Sequence, residues 1–417
     1  MQTRRISPPR RLAARAAMVA ALAATPLTVI GATAHAGIQG SDLAAGTVEV
    51  SLEPRHTAPD SPGVVVPSRV TVAGDDADNA IDIRQTGDKV VVTAGSGTNV
   101  VNPDGRCSPI GNQVVCLVDS DGSYDVEMGR GDDSVLVSTL TGSVIHADLG
   151  QGDDHIDLTD SAINSTLEGG LNHDILKGGS GDDVFIATAG GDGPDVMRGG
   201  FGVDTVSYAV YTVPVTVDLT GQRPSGAAGE NDQVLEIENA TGGSKNDLLI
   251  GAHGPMNDPA THVQGTSNVL RGGAGNDTMQ GGDPGDTVIG ADPNVDGSDT
   301  FFGGSGLDTV TYAYRTTSVI VDLDNVADDG SPGEGDDVRG DVENLVGGSG
   351  DDDLKGRRGV LNRLSGGPGV DEIRARDGDR LDILDGGTQP TGLMDFCYID
   401  LGDRVLSSCE AVKFPRV

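Results

Sequence analysis

The sequence predicts an all-β chain wound as a solenoid, and three observations predict it. Glycine supplies 64 of 417 residues, aromatic side chains make up 3% and tryptophan is absent, so a thick globular core lacks its building blocks while a thin core between short strands does not. A six-residue motif, G-G-x-G-x-D, occurs complete seven times, ending at Asp183, Asp195, Asp204, Asp277, Asp308, Asp352 and Asp371. Two places after the aspartate of complete or degenerate copies stands a large apolar residue: Val135, Ile156, Phe185, Met197, Val206, Met279, Val310, Leu354 and Ile373. Glycine-aspartate pairs are common in turns, but a flexible linker has no reason to keep an apolar residue at a fixed offset.

Residues 1–36 read as a signal peptide. Arg4, Arg5, Arg10, Arg11 and Arg15 make a basic start, 16–30 is apolar, and Ala34-His35-Ala36 is a small-x-small cleavage site. A membrane anchor is the alternative, but Pro26 interrupts the apolar run, which falls short of the roughly 20 residues a spanning helix needs. The remaining chain is expected to be secreted and extracellular, with no membrane insertion. Removing the segment takes away five arginines and no acidic group, moving the formal charge from −36 to −41. Such a charge repels nucleic acid and anionic membranes, and without cations it opposes compaction.

Residues 37–125 form a β-rich leading region. Alternating runs such as Arg69–Ala73, Ala80–Ile83 and Lys89–Thr93 are separated by glycine, asparagine and aspartate. Cys107 and Cys116 flank a hairpin tip, and Cys397 lies close to Cys409. Export favours local disulfides. A metal site is the alternative, although neither pair has C-x-x-C spacing or nearby histidines.

From residue 126 the spacing of the turn aspartates becomes regular. Asp133, Asp154, Asp174 and Asp195 lie 21, 20 and 21 residues apart, and Asp183 and Asp204 form a second series, also 21 apart. The motif is degenerate at Asp133 and Asp154 (first glycine missing) and at Asp174 (Asn172 replaces a glycine). This spacing predicts coils with one series along each edge. Val135, Ile156, Leu176 and Met197 then make one interior ladder, with Phe185 and Val206 in the facing one. Downstream the period is 22, pairing Asp277 with Asp299 and Asp286 with Asp308. Lys245 and Pro284 interrupt the motif before Asp247 and Asp286. Between the stretches, residues 199–250 and 303–354 are duplicates, sharing Tyr208 with Tyr312, GENDQV with GEGDDV, and Glu238-Asn239 with Glu343-Asn344.

The chemistry follows from the motif. Glycines permit backbone angles closed to other residues, so the turn aims carbonyl oxygens inward beside the closing carboxylate. Stacked turns then offer several hard oxygen ligands, which suits calcium. Candidate ligands are Asp133, Asp154, Asp174, Asp183, Asp195, Asp204, Asp277, Asp286, Asp299, Asp308, Asp352 and Asp371. Ions are expected between loops one coil apart, 129–133 with 150–154, 169–174 with 190–195, and 178–183 with 199–204. The aspartates just before the ligands, such as Asp182 and Asp351, are expected to matter much less.

These repeats resemble the RTX (repeats-in-toxin, hemolysin-type) calcium-binding nonapeptide family. The resemblance implies a parallel β-roll and several bound calcium ions. It also implies that the duplicates are spacers continuing the solenoid with wider coils, although a ligand site there is a second reading. The tail from Asp382, ending L-G-D-R-V-L-S-S-C-E, is similar to the cysteine-stapled end of actinobacterial secreted relatives and would cap the last coil. Toxin members leave through a dedicated exporter without a cleavable N-terminal peptide, so that part of the family's biology does not carry over. The resulting partition is 1–36 signal peptide, 37–125 leading region, 126–207 first repeat block, 208–241 spacer, 242–311 second block, 312–346 second spacer, 347–385 third block and 386–417 cap.

Motifs for an added enzyme are absent from the sequence. The seven histidines contain no H-E-x-x-H, no G-x-S-x-G elbow occurs, and no long helical pattern is visible. His155 and His173 lie within copies of the turn motif as solvent-facing fillers. Two readings remain: a secreted, non-enzymatic calcium-binding solenoid with cell-surface or matrix components as candidate partners, and a polysaccharide-binding or -processing β-helix stabilised by calcium. The shortage of aromatic platforms favours the first.

Overall fold

A computed structural model describes residues 46–57, 65–142, 144–190, 193–252, 268–282, 286–289, 297–375, 378, 382–388, 393–406 and 408–414. The signal-peptide segment lies outside the described residues. Among them every regular element is a β-strand. Most strands pair in parallel as a coil stack, a 16-stranded sheet facing three shorter sheets of nine, six and five strands. The leading strands add antiparallel pairs and a separate two-stranded sheet of His56–Thr57 with Val65–Val66.

Apolar residues two places after each turn aspartate explain the stacking. A strand buries alternate side chains, and the inward position here meets its counterpart one coil on. In the long sheet Val126, Ala147, Leu167, Phe185 and Val206 pair in sequence. The same ladder continues through Ala240, Leu270, Val288, Val310, Leu345, Leu364 and Leu384. Opposite it run Val135, Ile156, Leu176, Met197 and Val234, then Val217, Leu249, Met279, Phe301 and Val338. The third facing ladder is Val321, Leu354, Ile373, Cys397 and Val412. The nine apolar residues marked in the sequence are all buried.

The facing side changes sheet at each duplicate, while the long sheet runs through. The nine-stranded sheet ends at Gln233–Leu235 and the six-stranded one at Asp337–Val338.

Both ends of the described chain join the coil stack. Arg69–Ala73 pairs in parallel with Ser123–Glu127, and Ala80–Thr86 with Ser134–Ser138, so residues before 126 already belong to the coil stack. At the other end, Phe396–Tyr398 and Ala411–Lys413 extend the five-stranded sheet. Disulfides join Cys107 to Cys116 and Cys397 to Cys409.

Candidate metal centre

Each turn must reverse the chain within a few residues and stack on the turn below. Glycine permits both. Gly150 and Gly200 have φ of +99° and +109°, a region that costs other residues energy. A Cβ on either would collide with the carbonyl oxygen of Gly129 or Gly179 one coil back.

Each repeat turn ends in an aspartate whose Oδ1 accepts a main-chain N–H from the preceding coil. On the first edge Asn79, Asp133, Asp154 and Asp174 donate in turn to Asp133, Asp154, Asp174 and Asp195, at 2.7–2.9 Å. On the opposite edge Ser165 donates to Asp183, and Asp183 to Asp204, at 2.9 and 2.8 Å. Further along that edge Asn268 donates to Asp286 and Asp286 to Asp308. Across from them Asp247 donates to Asp277 and Asp277 to Asp299, and in the last facing sheet Val319 donates to Asp352 and Asp352 to Asp371. All twelve candidate aspartates therefore stand on these ladders, each at most 4% exposed.

The second carboxylate oxygen decides what a turn can bind. In Asp133, Asp154, Asp204 and Asp371, Oδ2 is buried with no hydrogen-bond partner, a costly state for an ionised group. In two of these turns a glycine leaves the space beside that oxygen free of a side chain: a Cβ on Gly199 would strike Asp204 Oδ2 and the Glu236 carbonyl oxygen, and one on Gly366 would strike Asp371 Oδ2. In Asp183 and Asp352 the same atom accepts an N–H of its own turn, from Gly179 at 2.9 Å and Gly348 at 2.7 Å.

Burial also shifts the protonation equilibrium. Loss of solvation pushes the Asp133, Asp154 and Asp371 carboxyls up to about 7 and Asp204 to about 8, with neighbouring carboxylates adding to the rise. A cation at Oδ2 would reverse that shift. Among the described residues no three Asp, Glu, His or Cys side chains converge as a cage. The donors fit an ion held by one or two carboxylate oxygens and completed by main-chain carbonyls, the hard-oxygen chemistry of calcium.

Several ladder members carry no legible turn motif. Asp195 donates to Asp232 at 3.1 Å and Asp299 to Asp336 at 2.9 Å. Asp204 and Asp308 donate to Glu238 and Glu343, Asp371 to Asp395, and Asp395 to Glu410. The signal available for the spacer residues was their repetition in the two duplicates. The aspartates preceding the candidate ligands also make main-chain contacts: Asp182 Oδ1 accepts the Val203 N–H at 3.0 Å and Asp351 Oδ1 that of Val370 at 2.9 Å. They form an outer ladder because the tight turn leaves that N–H facing outward, where a carboxylate one coil back can satisfy it.

Comparison with known protein families matches the RTX calcium-binding nonapeptide repeat (four copies) at residues 161–192, 189–208, 264–292 and 295–311. No curated protein matches the chain. The matched segments contain Asp174, Asp183, Asp195, Asp204, Asp277, Asp286, Asp299 and Asp308. Asp133, Asp154, Asp352 and Asp371 lie outside them, on ladders of the same construction.

Proposed function

From the premise that the chain is an RTX-type calcium-binding repeat protein, we propose that it is a secreted, non-enzymatic solenoid ordered by calcium. The ions would sit between turns of adjacent coils, held by the twelve turn aspartates and neighbouring carbonyls. The observation that carries this reading is the buried, partnerless Oδ2 of Asp133, Asp154, Asp204 and Asp371, with a glycine against that oxygen in the last two. Bound calcium supplies positive charge where stacked carboxylates would otherwise repel. The chain's own part is to fix the donors by main-chain hydrogen bonds and exclude water with the apolar ladders.

Secretion is supported by the sequence of residues 1–36 and by two disulfides, which persist in oxidising compartments. The repeat blocks 126–207, 242–311 and 347–385 are its ion-binding parts, and cell-surface or matrix components are its proposed partners. Circular dichroism of the chelated chain on adding calcium tests the reading. Strand signal should rise at ~10⁻⁴–10⁻³ M calcium, the range of extracellular modules, with magnesium a poor substitute. A β signal indifferent to both chelator and calcium would overturn it.

A further inference from the structure

We propose that a cleft on the outer face of the last facing sheet binds an acidic saccharide. Val321, Leu354, Ile373 and Cys397 are buried, so the next residue on each strand points outward. Register then aligns Asp322, Lys355, Arg374, Tyr398 and Lys413 in one row across five strands. Beside this row lies a cleft of about 570 Å³ whose lining includes Lys355, Arg357, Arg358, Arg374 and Tyr398, against two acidic residues, Asp322 and Asp324.

The cations are not all neutralised internally. Lys355 Nζ lies 2.8 Å from Asp322, and Arg374 pairs with Asp353 and Glu372. Arg358 has no ion pair among the described residues, and Arg357, whose charge favours the ionised Glu343 nearby, keeps its buried Nε without a hydrogen-bond partner. Seven of the chain's 28 Lys and Arg residues fall within 355–380, a basic stretch of an otherwise acidic chain. Charges farther than about 8 Å are screened at physiological ionic strength, which leaves the local surplus to decide what approaches.

Size and shape select the ligand class. A guanidinium fork matches the geometry of a carboxylate or sulfate. The volume falls within the range of small-molecule sites, about 300–1,000 Å³, and exceeds what one inorganic anion fills. The half-buried Tyr398 lines the cleft with Arg374 and Lys413 over its ring at 6.0 and 4.7 Å from the centroid, so an aromatic ring stands within the basic row where a sugar bearing acidic groups would lie. Together these fit a short saccharide bearing carboxylate or sulfate groups.

Calorimetric titration of the full chain in saturating calcium tests this with three probes: a uronic-acid tetramer, the same tetramer with its carboxyls reduced to alcohols, and inorganic sulfate. The acidic tetramer should bind at least 10-fold tighter than its neutral form. Arg357→Gln with Arg358→Gln should weaken it at least 10-fold, and Tyr398→Ala severalfold, while the calcium-induced strand signal stays unchanged. If the double variant fails to order with calcium, the exposed Arg358→Gln alone carries the comparison. Absence of tetramer binding, undiminished binding by the arginine variant, or sulfate binding as tightly as the tetramer would overturn the proposal. Because strand ordering is read separately, failure here is distinguishable from failure of the calcium reading.

Discussion

The turn at Asp154 and the turn at Asp232 hold the same place on one ladder, yet they satisfy their carboxylates differently. In both, Oδ1 accepts a main-chain N–H from the coil before. The Asp154 Oδ2 is buried without a partner, whereas Asp232 Oδ2 accepts the hydroxyl of Tyr208 at 2.8 Å. The second duplicate repeats the arrangement, Tyr312 donating to Asp336 at 2.9 Å. Both tyrosines are buried and both stand where the facing side changes sheet. The repeat turns at Asp133, Asp154, Asp204 and Asp371 leave an oxygen that a cation could take, whereas the spacer turns at Asp232 and Asp336 close it with a phenol. A solenoid built on aspartate ladders can thus be continued by two chemistries, one dependent on its medium and one carried by the chain itself.

Lowering calcium should separate the two classes most strongly. A ligand at 100 times its dissociation constant stabilises by about 2.7 kcal/mol, or 100-fold in an opening equilibrium. Hydrogen exchange at the Asp133 and Asp154 amides, which donate to repeat-turn carboxylates, should therefore speed up about 100-fold on calcium withdrawal. The Asp195 and Asp299 amides, which donate to Asp232 and Asp336, should change by less than about 10-fold. Equal acceleration at all four would erase the distinction.

Proton binding offers a second separation. The folded-state carboxyls of Asp133, Asp154 and Asp371 lie at about 7 and that of Asp204 at about 8, above the ordinary value near 3.9. A raised carboxyl favours the folded state fully below about pH 4 and loses that contribution as pH climbs through 7 to 8. The calcium-free chain should therefore gain strand signal as the pH falls from 8 to 5. Saturating calcium should flatten the profile, because the ion replaces the proton. A calcium-free chain that loses strand signal on acidification would contradict the buried, open-oxygen description of the repeat turns.

The repeat turns were legible because glycine, aspartate and the apolar residue keep fixed offsets that a tight turn and a buried strand both demand. The spacer turns obey no local rule. Asp195 reaches Asp232 across 37 residues and Asp204 reaches Glu238 across 34, against 21 from Asp133 to Asp154. Coil width fixes those partners, and nothing beside Asp232 or Glu238 announces it. Asp395 was hidden because a long insertion follows Gly386-Gly387. The leading strands alternate like any half-buried strand, so their parallel pairing with later coils could not be read from them. The outer ladder was missed for a different reason: exposure of Asp182 and Asp351 says nothing about main-chain donors one coil away.

The smallest effect tests the phenol itself. Tyr208→Phe removes one hydroxyl and leaves Asp232 Oδ2 without that donor, at a cost of about 1–2 kcal/mol. Urea unfolding should show this loss in saturating and in limiting calcium alike, because the bond involves no ion. Tyr312→Phe should match it within about 0.5 kcal/mol, since the two contacts are 2.8 and 2.9 Å long. The number of bound calcium ions should not change. If the cost instead vanishes in saturating calcium while one more ion is bound, the phenol is only holding a cation out of a site that the ladder still provides. The two classes of turn would then differ in occupant rather than in construction.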